Sequence, residues 1–327
     1  MNPTGIPYLD FTWNPGGFGC SRGCPGCWAA RLAPRIGRNI GCDDCRAFRV
    51  HWHPERLADP AGRKKPAVVG VQFTGELFDP ARPAEQIDEA LHLMLLARRH
   101  TYVLLTQQPS PANATLVAWY RTECERAAQL GEGALAAVQS AIREGWFVGA
   151  TCTDQEQFEL AGRTLGRPDR PWRWWASVEP IAGLVRLPAI GVENLAGVIV
   201  GADNRPGPPF RMDWIRGLAR ECGCRNIPLY VKQVWMWRCP RCSQTIVEAP
   251  LFGHGSCPTC GTNHGQFQQL LCHQPDHFPE DLRIRRLPWT LTLARGAAIP
   301  MEEARHRGVT EGTDAPAPRA LGPGGGP

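Results

Sequence analysis

The feature that most constrains the fold is an alternation of short apolar runs with helix-favouring stretches between residues 67 and 231. The runs are rich in β-branched or aromatic residues: Ala67–Phe73, Tyr102–Thr106, Trp146–Thr151, Trp174–Val178, Ala196–Val200 and Pro228–Val231. The stretches between them have helical spacing or composition: Ala84–Arg99, Thr115–Gln129, Gly133–Glu144, Asp154–Leu165 and Asp213–Glu221. Strands that alternate with helices predict a parallel sheet. We therefore expect an α/β fold, a partial (β/α) TIM-like barrel, with a doubly wound open sheet as the alternative.

The composition changes after residue 237, and this divides the chain into four parts. Residues 1–237 are expected to form the partial barrel, and residues 238–264 a small inserted module rich in Cys and Gly. Residues 265–295 resume an ordinary globular composition, so we expect them to return to the barrel. Residues 296–327 are rich in Pro, Gly, Ala and charge, which predicts a disordered tail.

The chain has 14 cysteines, which is a large number for 327 residues. No stretch of 18 apolar residues predicts a membrane span, and the N-terminus lacks the basic-then-apolar pattern of a secretory signal. We therefore expect a cytoplasmic protein, in which closely spaced thiols bind metal rather than form disulfides. The net charge of +5 permits contact with nucleic acid but does not require it.

Three cysteines form a C-x3-C-x2-C pattern that we call the Cys triplet: Cys20, Cys24 and Cys27. Three thiolates on one tight loop can bind a [4Fe–4S] cluster and leave one iron open to a small molecule. The alternatives are buried thiols or a zinc site completed by Cys42 or Cys45. These two cysteines form a C-x2-C pair of their own, which either binds a second metal or lies idle on a loop.

A second set, the ribbon cysteines, consists of two C-x2-C turns separated by 14 residues: Cys239, Cys242, Cys257 and Cys260. This spacing predicts a structural zinc ribbon with four thiolate ligands, with a rubredoxin-like iron as the alternative. A closed site does no chemistry, so the ribbon would stabilise the insert or present a surface to nucleic acid or a protein partner. Basic side chains suited to nucleic acid flank it: Arg238, Arg241, His254 and His264.

Polar residues at the ends of the predicted strands are candidate site residues, because ligands of parallel α/β folds bind at the carboxyl ends of strands. They are Gly75, Glu76, Ser177, Glu179, Gly201, Asp203 and Lys232. The carboxylate of Glu76 suits an ammonium group, and the ammonium of Lys232 suits a carboxylate or phosphate. The alternative for each of these residues is a surface, salt-bridge or capping role.

Several short segments carry a resemblance to a known family: Thr12-Trp13-Asn14-Pro15, His53-Pro54-Glu55-Arg56-Leu57, Glu76-Leu77-Phe78-Asp79, Ser177-Val178-Glu179-Pro180, Val200-Gly201, Lys232-Gln233-Val234-Trp235 and Phe278-Pro279-Glu280-Asp281-Leu282. Together with the Cys triplet, and in this order, they resemble a phage-associated branch of the radical S-adenosylmethionine (SAM) superfamily. The chain departs from that branch in its tighter cysteine spacing and in Gln107-Gln108-Pro109, where the branch often has Lys-Arg-Pro.

The resemblance implies a partial TIM-like barrel, a [4Fe–4S] cluster on the Cys triplet, and SAM chelated to its open iron. One electron from the cluster then cleaves SAM to a 5′-deoxyadenosyl radical, which abstracts hydrogen from substrate. Gly75 and Glu76 would contact the SAM amino group, and the other strand-end residues its ribose or carboxylate. The expected function is thus a radical SAM enzyme acting on nucleic acid or a nucleotide, served by an electron donor protein. The alternatives are a non-catalytic, metal-stapled nucleic-acid-binding protein and a partner subunit with a structural cluster.

Overall fold

The computed structural model describes residues 1–205, 210–243, 245–246, 256–263 and 266–289. The predicted disordered tail lies outside these residues, as do His254 and His264. The helices are α1 Trp28–Ile40, α2 Asp43–Arg46, α3 Asp59–Gly62, α4 Ala84–Leu96, α5 Pro109–Gln129, α6 Glu132–Gly145, α7 Gln155–Leu165 and α8 Met212–Cys224. The strands are β1 Asn2–Pro3, β2 Phe11–Trp13, β3 Val68–Val71, β4 Thr101–Thr106, β5 Trp146–Thr151, β6 Arg173–Val178, β7 Leu195–Gly201, β8 Leu229–Arg238, β9 Thr245–Ile246 and β10 Gln268–Cys272.

The ten strands form one mostly parallel sheet. Strands β2 to β8 pair in parallel and in chain order, while β1, β9 and β10 pair antiparallel with their neighbours. The predicted α/β fold with a parallel sheet is confirmed. The doubly wound alternative is excluded for these strands, because that topology reverses its strand order partway through the sheet.

The sheet curls around a layer of buried side chains. One residue from each of β3 to β8 joins residues that precede β2 and a tryptophan that follows the last strand: Tyr8, Leu9, Val68, Val103, Phe147, Trp175, Ile199, Tyr230 and Trp289. The rings of Tyr8, which precedes β2, and Tyr230 on β8 are 5.7 Å apart, although β2 and β8 lie at opposite ends of the parallel run. In a flat sheet six strand spacings would separate them by about 29 Å.

The segment after β10 runs along β8 and adds a side chain to this core. Residues 284–286 bond to the outer edge of β8, where Val231 N donates to Ile284 O and Arg286 N to Leu229 O, both at 2.9 Å. Beyond them Trp289 is only 3% exposed, and its indole N–H donates to the carbonyl of Tyr8 at 3.1 Å. The C-terminal part of the described chain therefore belongs to the same core as the strands.

Helix α1 was not predicted, and its sequence explains why. Pro34 lies inside it and Gly37 follows, and both residues normally weaken a helix. The helix begins at Cys27, whose sulfur accepts a hydrogen bond from Ala30 N, and it ends at Gly41 with φ +67°. Gly37 is needed for packing, since a Cβ there would lie 2.2 Å from the backbone N of Arg46 in α2.

The N-termini of helices α7 and α5 show residues that commonly begin a helix. Asp154 caps α7 as predicted, since its side chain accepts a hydrogen bond from Gln157 N at 2.9 Å. Helix α5 begins six residues earlier than predicted, with Pro109 in its first turn, where the missing N–H of proline has no cost. Within the described residues, no helix combines the length and the apolar character needed to cross a membrane.

Candidate functional site

The Cys triplet lies at the edge of the sheet where the parallel strands end. Its loop follows β2 and pairs with the segment after β3 through a parallel bridge between Gly19 and Gly75. A Cβ at Gly75 would lie 2.2 Å from the carbonyl oxygen of Gly19, so a side chain at this position would push the loop away. The predicted site residue Gly75 therefore provides the close backbone approach that holds the loop on β3.

Asp79, which follows β3, anchors the start of the Cys triplet. Its carboxylate accepts hydrogen bonds from the backbone N–H and the hydroxyl of Ser21, both at 2.7 Å. Burial alone would raise the pKa of Asp79, but these hydrogen bonds, together with one from Ala81 N, lower it below its usual value. Asp79 is thus a carboxylate at neutral pH, and it accepts hydrogen bonds from the loop of the Cys triplet.

Glu76 is almost fully buried, and both of its carboxylate oxygens have backbone partners. One accepts a hydrogen bond from Phe78 N at 3.1 Å, and the other from Gln107 N at 3.0 Å. Burial raises the pKa of Glu76, against the effect of these hydrogen bonds. Glu76 joins the end of β3 to the end of β4, and its contact with an amino group of SAM remains a prediction.

Each thiol of the Cys triplet has a defined partner. Cys24 Sγ donates to Oε1 of Gln107, which follows β4, at 3.2 Å, and Cys27 Sγ accepts from Ala30 N at the start of α1. Burial raises the pKa of the Cys20 thiol to about 11, and the nearby carboxylates add to the rise. In the metal-free chain Cys20 is therefore a thiol, which must lose its proton to bind a metal.

Three of the predicted site residues meet at the carboxyl end of β6. Lys232 Nζ on β8 forms an ion pair with Glu179 Oε1 at 3.0 Å, and Ser177 Oγ donates to the other carboxylate oxygen of Glu179 at 3.2 Å. Gly201 lies against them, because a Cβ there would be 3.0 Å from Glu179 Oε1. The ends of β6 and β7 thus converge with Lys232 on one cation and one anion, which we call the Lys–Glu pair (Lys232 and Glu179). Lys232 was predicted at a strand end, but β8 continues to Arg238, and Lys232 lies where its parallel pairing with β7 stops.

Asp203 lies apart from the Lys–Glu pair and binds its own loop. It forms an ion pair with Arg205 at 2.6 Å, and hydrogen bonds from this arginine lower the pKa of Asp203. The guanidinium of Arg205 lies directly on Gly26 in the Cys triplet loop, 2.5 Å from where a Cβ would be. The residues after β7 therefore contact the Cys triplet through Arg205, which sequence analysis did not single out.

Two further residues that the sequence did not indicate support the same loop. The buried side chain of Gln72 accepts from Gly16 N at 2.8 Å and donates to Gly17 O at 3.0 Å, while Thr74 Oγ1 donates to Gly17 O at 2.6 Å. Both follow the apolar run of β3. The signal in the sequence was a polar residue just past a buried strand. By that signal Gly75 and Glu76 were predicted as site residues, but Gln72 and Thr74 were not.

Cys42 and Cys45 converge with two histidines and do not complete the Cys triplet. We call these four residues the Cys/His group: Cys42, Cys45, His51 and His53. Their ligand atoms all lie within 4.8 Å of one another, so the group could hold a metal ion. The sequence contains the pattern C-x2-C-x5-H-x-H, but neither histidine was predicted as a ligand.

The ribbon cysteines also converge within 4.8 Å, as predicted for a metal site. Two pairs of sulfur atoms are close, Cys239 to Cys260 at 3.6 Å and Cys242 to Cys257 at 3.4 Å. Tetrahedral zinc with four thiolates needs sulfur separations of about 3.8 Å. Burial raises the pKa of Cys239, but hydrogen bonds from the backbone of Cys242 and Arg241 outweigh it and lower the value to about 6. This donor set suits an ion such as zinc.

The fold and the site define an α/β protein with a mostly parallel sheet. Two sets of side chains in it, the Cys/His group and the ribbon cysteines, could each bind a metal such as zinc. The chain belongs to a family described as "Protein of unknown function (DUF5131)", which matches residues 3–265. No curated protein and no solved structure matches the chain. The identification with the radical SAM superfamily is therefore wrong, because the family that matches is DUF5131 and no radical SAM family does.

Proposed function

We propose that the curled sheet is a partial (β/α) barrel whose carboxyl edge is an active site. The sequential parallel strands and the contact between Tyr8 and Tyr230 support this architecture. In such a fold catalytic groups lie at the carboxyl ends of the strands. The Cys triplet follows β2 and Glu179 follows β6, while Lys232 lies where the parallel pairing of β8 with β7 stops, so all of them are near that edge.

The cofactor we propose is a [4Fe–4S] cluster on the Cys triplet, with SAM as its ligand. The observation that carries this is the use of Cys42 and Cys45 elsewhere, which leaves three thiols on a loop fixed over the strand ends. Three thiolates suit a cluster with one open iron, and this holds for a protein of any family. When bound and reduced, such a cluster would supply the one electron that splits SAM into methionine and a 5′-deoxyadenosyl radical able to abstract hydrogen from a substrate.

The protein residues would position these groups. Asp79 and Gly75 hold the Cys triplet against β3, and Gln107 holds the thiol of Cys24. The Lys–Glu pair offers one cation and one anion, which complement the carboxylate and the ammonium of an α-amino acid such as the methionyl part of SAM. Ser177 orients the carboxylate of that pair through its hydrogen bond.

We further propose that zinc occupies the ribbon cysteines and that the substrate is nucleic acid or a nucleotide. The four converging thiols support the metal. Arg238, at the end of β8 beside the ribbon, and the net charge of +5 support a polyanionic substrate. An electron donor protein is proposed as a partner, because the cluster must be reduced before it can cleave SAM.

Anaerobic purification tests the cluster directly. The expected protein is brown, with broad visible absorption and about four irons per chain. Cys20→Ala should abolish this signal, whereas Cys224→Ala, which removes an exposed cysteine at the end of α8, should leave it unchanged. A colourless protein that carries only zinc would refute the proposal and favour a metal-stapled nucleic-acid-binding protein.

The reaction is tested by adding SAM and dithionite to the protein that carries the cluster. The expected product is 5′-deoxyadenosine, even without substrate, and Lys232→Met should reduce its formation at limiting SAM. A protein with an intact cluster and no 5′-deoxyadenosine would instead be a partner subunit in which the cluster has a structural role.

A further inference from the structure

The Cys/His group has the geometry of a site for a single tetrahedral ion. From Cys45 Sγ the distance to His51 Nε2 is 3.2 Å and to His53 Nε2 3.4 Å, and Cys42 Sγ is 3.7 Å from His51 Nε2. The two histidine Nε2 atoms are 2.9 Å apart. Tetrahedral zinc needs sulfur–nitrogen separations of about 3.6 Å and a nitrogen–nitrogen separation of about 3.3 Å. The four donor atoms therefore surround a space of the right size for the ion.

The hydrogen bonds on the far side of each imidazole fix which nitrogen is free. Nδ1 of His51 lies 2.8 Å from the carbonyl oxygen of Arg49, and Nδ1 of His53 lies 2.6 Å from a carboxylate oxygen of Glu55. Both partners are acceptors only, so each Nδ1 carries the proton and each Nε2 presents a lone pair. Two lone pairs 2.9 Å apart repel one another unless a cation lies between them.

This arrangement is the usual one for histidines that bind zinc. A ligating imidazole normally donates its other N–H to a carboxylate or a backbone carbonyl, which sets the tautomer and the ring orientation. Two thiolates and two imidazoles form a donor set that zinc prefers. The group is half-buried to buried, so the ion would be held away from bulk water.

The Cys/His group also contacts the segment that leads into the Cys triplet. A Cβ at Gly17 would lie 2.7 Å from both Cys45 Sγ and His51 Nε2, so the backbone there rests directly on two of the ligands. Phe18 N donates to Cys45 Sγ at 3.4 Å, and His53 N donates to Pro15 O at 2.7 Å.

The loop between the ligands continues this contact up to the first cysteine of the Cys triplet. Cys20 N donates to Phe48 O at 3.4 Å, and a Cβ at Gly19 would lie 2.0 Å from Arg49 O. Residues 15–20 therefore lie along the loop of residues 45–53, which the four ligands would hold in place.

We propose that the Cys/His group binds a Zn²⁺ ion that holds residues 15–20 in place and thereby positions the Cys triplet. This ion is separate from the ion proposed for the ribbon cysteines. The zinc site and its hold on residues 15–20 stand without the proposed function, and only an effect on iron loading rests on it.

Zinc analysis of the full chain tests the site. The two groups predict two zinc ions per chain, of which Cys42→Ser should remove one. Cys257→Ser is the matched control, because it should remove the other ion from the ribbon. Glu55→Ala, at an exposed side chain that cannot affect the core, should weaken binding of the first ion about tenfold in a competition with a zinc chelator. If Cys42→Ser keeps both ions, the proposal is overturned.

Amide hydrogen exchange of the iron-free protein tests the positioning role. In Cys42→Ser the amides of residues 17–21 should exchange at least about tenfold faster, whereas in Cys257→Ser they should stay as protected as in the parent protein. Loss of the zinc with unchanged exchange would overturn the positioning role. Iron loading should fall in Cys42→Ser and not in Cys257→Ser. If the parent protein binds no iron, the proposed cluster fails while zinc content and exchange still decide this inference.

Discussion

The ammonium of Lys232 on β8 lies 3.0 Å from the carboxylate of Glu179, which follows β6, so two strands that are not neighbours in the sheet are joined by an ion pair. Both side chains are mostly shielded, with 26% and 13% exposed. A charge in such a place is stable mainly because its partner is present.

Removing one partner of this pair should destabilise the fold. Lys232→Met is expected to lower the free energy of unfolding by about 2 kcal/mol, because it leaves the carboxylate of Glu179 shielded and unpaired. The double variant Lys232→Met with Glu179→Gln should lose less than the sum of the two single variants. Urea unfolding measures this, and strictly additive losses would show that the two charges do not interact.

The hydrogen bonds from Ser21 to the carboxylate of Asp79 predict that the stability of the fold depends on pH. The folded-state pKa of Asp79 is lowered, so its carboxylate stabilises the protein above the ordinary value of about 3.9, and this stabilisation is lost as the pH falls through the folded pKa. Asp79→Asn should cost about 1–2 kcal/mol at pH 7 and progressively less toward pH 3. Asp276→Asn, at an exposed residue, is the control. A loss for Asp79→Asn that is constant across this pH range would contradict the assignment.

Gly75→Ala should detach the Cys triplet loop from β3. A Cβ there would lie 2.2 Å from Gly19 O, and the backbone must move to accommodate it, at a cost of about 1–3 kcal/mol. Gly62→Ala has open space around its Cβ and should be close to neutral. Thermal unfolding compares the two variants, and equal melting temperatures would show that the Gly19–Gly75 contact has no energetic role.

Trp289→Ala tests whether the C-terminal part of the described chain completes the core. The indole packs against Tyr8, Phe147 and Trp175, so its removal should cost about 3–5 kcal/mol. Trp28→Ala, at a side chain that is 46% exposed, should cost much less. Denaturant titration of both variants checks this, and a small loss for Trp289→Ala would mean that the curled sheet is stable without the segment.

Much of the fold could be predicted from the sequence because its strands are continuous apolar runs. Strand β5 matches its predicted bounds and β4 begins one residue earlier than predicted, since β-branched and aromatic residues there fill a sheet that is covered on both faces. Strand β2, with three residues, is too short to show a period. Strand β10 is mostly exposed, and only its antiparallel pairing with β8 makes it a strand.

The site was predictable where it follows from topology. Ser177, Glu179 and Gly201 meet because parallel strands end at one edge, and that rule needs only the order of the strands. Lys232 reaches them from within β8, at the point where its parallel pairing with β7 stops. The partners of Glu76 could not be foreseen, since Gln107 N reaches its carboxylate only through the pairing of β3 with β4. The same holds for Arg205 and Gly26, which are far apart in the chain.

The hydrogen bond from Trp289 to Tyr8 joins residues that are 281 positions apart. A ribosome makes Tyr8 long before Trp289, so during synthesis the aromatic layer inside the sheet lacks its last member until nearly all of the described chain has emerged. Tyr8, Phe147 and Trp175 therefore lack this packing partner until Trp289 emerges, and the aromatic layer is expected to be completed late in folding.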